Sequence, residues 1–89
     1  MPGYEIIARG RVQGVGFRRF VYELAHRYGV KGYVQNKSDG SVLIVADGEK
    51  EMISDFLQAV KQGHRFARVS DLEVNELPLS KKYEDFFIV

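Results

Sequence analysis

The stretch GRVQGVGFR, residues Gly10–Arg18, places three glycines within seven positions and separates two segments of different hydrophobic period. The segment before it alternates in the manner of a strand, and the segment after it repeats every three or four residues, as a helix does. Glycines allow sharp turns that point backbone N–H groups inward, and a helix begins with unpaired N–H groups and a partial positive charge. Arg18 adds a full charge and a fork of donors. The stretch therefore predicts a loop that binds a phosphoryl group.

The composition narrows the class of protein. The 89 residues, 45% hydrophobic and 28% charged, predict one soluble domain spanning residues 1–89. The absence of cysteine excludes disulfides, thiolate metal sites and cysteine nucleophiles, and favours a cytoplasmic location. No signal pattern and no apolar run of about 20 residues is present, so no membrane association is expected. The net charge of +1 does not indicate nucleic acid as a partner.

Hydrophobic period and turn residues predict five strands and two helices. The strands are expected at Tyr4–Arg11, Lys31–Asn36, Ser41–Ala46, Val69–Leu77 and Phe86–Val89. The helices are expected from Phe17 to a cap at Gly29 and from Asp47 to Gly63, with a polar loop at Pro78–Asp85. The order β-α-β-β-α-β, followed by a short strand, predicts an α+β ferredoxin-like sandwich, in which an antiparallel sheet carries both helices on one face.

This topology brings two distant segments together. A helix connects the first two strands, so these strands are expected to run parallel, with their C-terminal ends at the same edge of the sheet. The first strand ends at the glycine-rich loop and the second ends at Asn36. Asn36 is therefore expected to lie beside the loop and Arg18, at an edge where ligands commonly bind.

The residues at this edge favour one kind of reaction. Backbone N–H groups and Arg18 would neutralise a phosphoryl group, and Asn36 could orient a water molecule but could not act as a base. No Ser, Thr or Cys lies between Val12 and Phe17, so the loop offers no nucleophile for a phospho-enzyme. The arrangement suits direct attack by water on a phosphate with a good leaving group, such as an acyl phosphate.

Two segments resemble the signatures of the acylphosphatase family. Gly10–Arg18 resembles the first, and Gly32–Asn36, continued by Gly40–Val42 and Gly48, resembles the second. The resemblance implies hydrolysis of a small-molecule acyl phosphate to a carboxylate and inorganic phosphate, with no metal or other cofactor. It implies that Arg18 binds the phosphate, that Asn36 positions the water, and that the loop forms the phosphate cradle. The cradle residues are Gln13, Gly14, Val15, Gly16 and Phe17.

Two positions depart from the family pattern. Many members carry a hydroxyl residue after the asparagine, where this chain has Lys37, and many end in an aromatic residue, where this chain has Ile88-Val89. These departures predict that the groups supporting Arg18 and Asn36 differ from those of other members, whereas the roles of the two residues are expected to be kept.

Other interpretations of the same residues remain open. The loop alone could be a tight strand-to-helix turn. It is not a dinucleotide-binding fingerprint, because Arg19 stands where that motif needs its third glycine. Ferredoxin-like folds also bind RNA, but Val34–Asn36 lacks the stacking aromatic of that motif. Similar domains also occur inside larger carbamoyl-transfer proteins, and a freestanding monomeric enzyme is the preferred interpretation. His26 and His64 are isolated in sequence, so no metal site is expected, and His64 is expected to be exposed.

Overall fold

The computed structural model describes residues 2–78 and 82–89 and has the predicted order of elements. The strands are β1 (Pro2–Arg11), β2 (Lys31–Asn36), β3 (Val42–Asp47), β4 (Arg68–Pro78) and β5 (Phe86–Ile88), and the helices are α1 (Phe17–Tyr28) and α2 (Lys50–Gln62). The predicted α+β ferredoxin-like class is confirmed. Part of the predicted loop at Pro78–Asp85 lies outside the described residues.

The sheet order β4-β1-β3-β2-β5 explains how two distant segments reach the same edge. Strands β1 and β2 both pair with the central strand β3, and both pairings are antiparallel. They are therefore parallel to each other, as predicted, and their C-terminal residues Arg11 and Asn36 lie at the same edge. The N-terminal ends of β3 and β4 lie at that edge too, because both strands run in the opposite direction.

The last strand differs from the expected antiparallel arrangement. Strand β5 pairs with β2 in the parallel direction, so the sheet is mixed. Main-chain hydrogen bonds extend this pairing on both sides, from Gly32 N to Asp85 O at 2.9 Å and from Val89 N to Val34 O at 2.9 Å. The pairing places the chain after Phe86 beside the end of β2, close to Asn36.

The second helix also begins later than predicted. Asp47 pairs with Lys31 as the last residue of β3, and α2 starts at Lys50, with Glu49 at its N-terminal cap position. Asp47 is a residue that favours caps and turns, but in this chain its backbone continues the sheet ladder. Gly63 ends α2 as expected.

The core lies between the sheet and the two helices. Ile6 and Ile44 are paired across β1 and β3, and both are fully buried on the face that the helices cover. The helices contribute apolar stripes of predicted period to the same cluster. Their buried residues are Phe17, Val21, Leu24 and Ala25 in α1, and Ile53, Phe56 and Val60 in α2. Within residues 2–78 and 82–89, no helix has both the length and the apolar character needed to cross a membrane.

Candidate active site

The glycine-rich loop turns the chain from β1 into α1. A bulge between Arg9 and Gly10 shifts the pairing with β4, and a Cβ atom at Gly10 would collide with the main-chain oxygen of Arg68. Gly14 and Gly16 have φ values of 74° and 77°, which side-chain-bearing residues rarely adopt. A Cβ at either position would meet nothing within 4 Å. These two glycines are therefore required by the shape of the turn and not by lack of space.

The first turn of α1 is suited to an anion. Gly16 occupies the cap position, no side chain caps the helix, and the first turn contains no acidic residue. The first hydrogen bond of the helix runs from Phe20 N to Gly16 O at 3.1 Å, and the N–H groups before Phe20 have no partner within the helix. The partial positive charge of the helix end is thus directed at the loop without a carboxylate to neutralise it.

A cavity of about 210 Å³ lies in front of this helix end and contains both predicted catalytic residues. Arg18 and Asn36 line it together, although they belong to different segments of the chain. The other lining residues are Val12, Gly14, Gly16, Phe17, Arg19 and Ile88. Gln13 and Val15, which sequence reasoning assigned to the cradle, are not among the lining residues. The structure thus brings five of the seven predicted site residues to one cavity: Arg18, Asn36, Gly14, Gly16 and Phe17.

Arg18 is held by the main chain that follows β5. One guanidinium nitrogen, Nη1, donates to the main-chain oxygen of Val89 at 3.1 Å. No Asp or Glu side chain forms an ion pair with Arg18 in the described part of the chain. The contact uses one of the five guanidinium donors and leaves other donors available to an anion. Because the acceptor is a backbone atom, this support does not require the aromatic residue that many family members carry near this position.

Asn36 carries an unusual polar atom. Its amide oxygen Oδ1 is buried, and no group among the described residues donates a hydrogen bond to it. A buried acceptor without a donor costs about 1–3 kcal/mol. An atom left in this condition at the edge of a cavity is suited to accept a hydrogen bond from a water molecule or substrate in that cavity.

Gln13 connects the loop to the turn between β2 and β3. Its amide nitrogen Nε2 donates to Lys37 O and to Ser41 O, both at 2.7 Å. Lys37 N in turn donates to Ser41 O at 2.9 Å. The side chain of Gln13 is therefore directed at the turn that follows Asn36. Its main-chain carbonyl partners carry no sequence signature, so periodicity and spacing could not reveal this contact.

Asp39 organises the same turn. Its carboxylate accepts hydrogen bonds from the Ser41 hydroxyl at 2.6 Å and from Ser41 N at 2.9 Å. These two bonds, the hydroxyl first, hold the pKa of Asp39 below its ordinary value. The residues Lys37-Ser38-Asp39-Gly40 have the composition of a turn, and the structure places Asp39 in the turn between β2 and β3. The spacing Asp-Gly-Ser is the signal that could have linked it to the site, since such carboxylates commonly bond to the N–H two residues later.

Arg19, His26 and His64 make other contacts. Arg19 lies 3.6 Å from the carboxylate of Glu23, four residues later on the same helix. His26 lies 3.7 Å from Asp85. The expectation that His64 is exposed is wrong, because its ring is half-buried and packs 5.0 Å from the ring of Phe20.

Comparisons with known proteins agree with this geometry. The model of the acylphosphatase family matches residues 4–88. An acylphosphatase of Bacillus pumilus is 44% identical over 88 residues, which cover 99% of this chain and 98% of the relative. The crystal structure of acylphosphatase from Bacillus subtilis superposes with a TM-score of 0.94 at 43% identity, covering 100% of this chain and 99% of that one.

A likeness to a longer protein is also found. The crystal structure of HypF from T. kodakarensis matches with a TM-score of 0.90 at 36% identity, and the match covers 100% of this chain but 12% of that one. The family signature motifs, the sheet edge they share and the match along almost the whole chain lead to the same assignment. The chain belongs to the acylphosphatase family, the enzymes that hydrolyse acyl phosphates.

Proposed function

We propose that the chain hydrolyses acyl phosphates by direct attack of water, without a metal ion, another cofactor or a covalent intermediate. The observation that carries the proposal is the shared cavity of Arg18 and Asn36 at an uncapped helix N-terminus. The products are a carboxylate and inorganic phosphate. The preferred form is a cytoplasmic monomer of one domain that needs no nucleic acid or membrane partner.

The proposed binding step uses charge already present at the site. The phosphoryl group lies against the loop from Gln13 to Phe17, where backbone N–H groups of the loop and of the first turn of α1 donate to its oxygens. Arg18 donates to the same group from the side of β5. Phosphoryl transfer depends mainly on positioning and electrostatic stabilisation, so these groups meet the main requirement of the reaction.

The proposed chemical step uses Asn36 to position water. The amide oxygen of Asn36 accepts a hydrogen bond from the water molecule, which orients a lone pair toward phosphorus. A new bond forms between the water oxygen and phosphorus, and the bond between phosphorus and the acyl oxygen breaks. Its electron pair leaves with the carboxylate, and the proton of the water passes to an oxygen of the phosphoryl group. The amide needs no proton transfer, which is consistent with a cavity whose lining, as far as the described residues go, contains no base.

The test is release of phosphate from acetyl phosphate and benzoyl phosphate, measured for the wild type and for Arg18→Ala. We expect the wild type to turn over both substrates in the presence of EDTA. We expect Arg18→Ala to lose about 10²- to 10³-fold or more in kcat/KM, because a charged donor aimed at the phosphoryl group is removed. Its circular dichroism spectrum should be unchanged, since Arg18 lies outside the core cluster.

Arg27→Ala is the matched control, because it removes the same charge near the other end of the same helix. Loss of activity with EDTA and recovery with a divalent ion would contradict the metal-free mechanism. RNA binding by the wild type without any turnover would favour the RNA-binding interpretation instead.

A further inference from the structure

A second cavity, of about 590 Å³, opens at the same edge of the sheet, on the side of β4. It lies between the C-terminal end of α2, the segment from His64 to Ala67, and the adjoining ends of β1 and β4. Four basic side chains line it: Arg11, Lys61, Arg65 and Arg68. We refer to this cavity as the basic groove.

The charge of the basic groove is not compensated by the protein. Its lining contains no Asp or Glu, and none of its four cations forms an ion pair within residues 2–78 and 82–89. By contrast, Arg9, two residues before Arg11 on the same strand, forms ion pairs with Asp71 at 3.2 Å and with Glu73 at 3.1 Å. The whole chain has a net charge of only +1, so this groove holds an unusual local excess.

Two of these cations lie opposite each other in the sheet. Arg11 and Arg68 are direct partners in the β1–β4 register. Like charges placed directly opposite each other on neighbouring strands destabilise the pairing. Arg65 lines the same groove, with its guanidinium carbon 5.5 Å from the centre of the Phe66 ring. Bound anionic groups would relieve the repulsion at this position.

The basic groove adjoins the candidate active site. Arg11 lines the groove and the next residue, Val12, lines the cavity that contains Arg18 and Asn36. Gly14, in the proposed cradle, is three residues from Arg11, and three residues of extended chain span at most about 10 Å. A substrate only a few bonds long, with its phosphoryl group bound in the cradle, can therefore place its other end near the groove.

We infer that the basic groove binds a second anionic group on the acyl portion of the substrate. This inference rests on the proposed function, because the first anchor is the phosphoryl group in the cradle. The substrate class is then an acyl phosphate with a carboxylate or a phosphoryl-type anion at the far end of the acyl chain. Arg65 and Arg68 act on substrate selection and not on the reacting atoms.

The experiment compares substrates that differ only at the far end. Butyryl phosphate ends in a methyl group, succinyl phosphate ends in a carboxylate on a chain of equal length, and 3-phosphonopropionyl phosphate ends in a phosphonate. We expect kcat/KM for succinyl phosphate to exceed that for butyryl phosphate by about tenfold at fixed low salt, since several partly screened charge contacts are added. The phosphonate substrate shows which anion the groove prefers.

Two variants test the assignment of the preference to the groove. In the double variant Arg65→Gln/Arg68→Gln the ratio of the two kcat/KM values should fall close to 1. In Arg27→Gln, which loses charge at the other end of α1, the ratio should stay near that of the wild type. Arg65→Gln alone should give a ratio between those of the wild type and the double variant. Because Arg65 is exposed, this single variant replaces the double variant if the latter does not fold.

The outcomes separate the inference from the proposed function. If kcat/KM is equal for butyryl phosphate and for the two charged substrates, the inference is overturned and the proposed function still stands. A preference for charged substrates that persists in the double variant would overturn it too. Binding of a short RNA through Arg65 and Arg68, with no preference among substrates, would assign the groove to a polyanion and overturn it. Failure to hydrolyse any of the substrates would overturn both.

Discussion

Gln13 acts at the scale of a single residue by joining two segments that are far apart in sequence. Its amide donates to Lys37 O and Ser41 O at 2.7 Å, and so connects the loop that precedes α1 to the turn that follows Asn36. The proposed reaction needs the phosphoryl group and the water molecule in a fixed relation. We therefore interpret Gln13 as a positioning residue, which acts through the backbone on both sides of the cavity.

This role predicts a particular kinetic change in Gln13→Ala. Small displacements of reacting groups lower the rate strongly, so kcat should fall by roughly ten- to a hundredfold. KM and the inhibition constant for phosphate should change by no more than about threefold, because the backbone donors and Arg18 remain. Gln58→Ala, at an exposed position of α2, is the control. A loss of phosphate affinity equal to the loss in kcat would place Gln13 in direct contact with the anion.

The positions of some of these side chains could be predicted from the sequence. Arg18 and Asn36 could be placed together because chain topology alone brings the ends of β1 and β2 to the same edge. The direction of the Gln13 side chain could not be predicted, because it depends on the path of the loop and on carbonyl groups that any residue can supply. The contact between Arg18 and Val89 O was hidden for the same reason, since it depends on how β5 pairs.

At the scale of elements, the turn between β2 and β3 is stabilised by Asp39. Hydrogen bonds from the Ser41 hydroxyl and N–H favour its charged form and lower its pKa in the folded protein. A lowered pKa contributes stability that is fully present above the ordinary value for aspartate and is lost as the pH falls through the lowered value. The turn should therefore weaken in acid.

Asp39→Asn tests this dependence. The variant should have a lower free energy of unfolding than the wild type at pH 7, because an amide oxygen accepts more weakly than a carboxylate. The difference should shrink on going to about pH 3, as the wild type begins to lose its own carboxylate charge. Urea denaturation at the two pH values measures it, with Asp55→Asn on the exposed side of α2 as the control. A difference that stays constant with pH would contradict this account of the turn.

Elements with strong local signals were predicted well, and those that depend on distant pairing were not. Helix α1 begins at Phe17 and is capped by Gly29, as its period and its glycine indicated. The parallel direction of β5 could not be derived from three residues, since pairing with β2 determines it. Asp47 has a side chain typical of helix starts, yet its place opposite Lys31 keeps it in the sheet.

At the scale of the whole molecule, one hydrophobic core supports an edge that is rich in basic groups. Phe56 of α2 is fully buried and lies edge-on to Phe86 of β5, with ring centres 6.4 Å apart. This contact links the second helix to the strand whose continuation holds Arg18. The core therefore positions the site without contributing any atom of Phe56 or Phe86 to the lining of its cavity.

Phe56→Ala should accordingly destabilise the fold, by about 3–5 kcal/mol in the free energy of unfolding, because a buried ring is removed and a void is left. Urea denaturation measures the change. Phe66→Ala is the matched control, since the Phe66 ring is 62% exposed and should cost less than about 1 kcal/mol. Equal effects of the two substitutions would contradict the described core.

The central claim is that Arg18 and the loop bind the phosphoryl group while Asn36 orients the water molecule that attacks it. The most direct test measures kcat for acetyl phosphate and the inhibition constant for inorganic phosphate in Asn36→Ala. We predict that kcat falls by about 10²-fold or more, while the affinity for phosphate changes by less than about threefold, because the anion keeps all its proposed donors. Parallel losses in kcat and in phosphate affinity would show that Asn36 binds the anion, and would contradict the account.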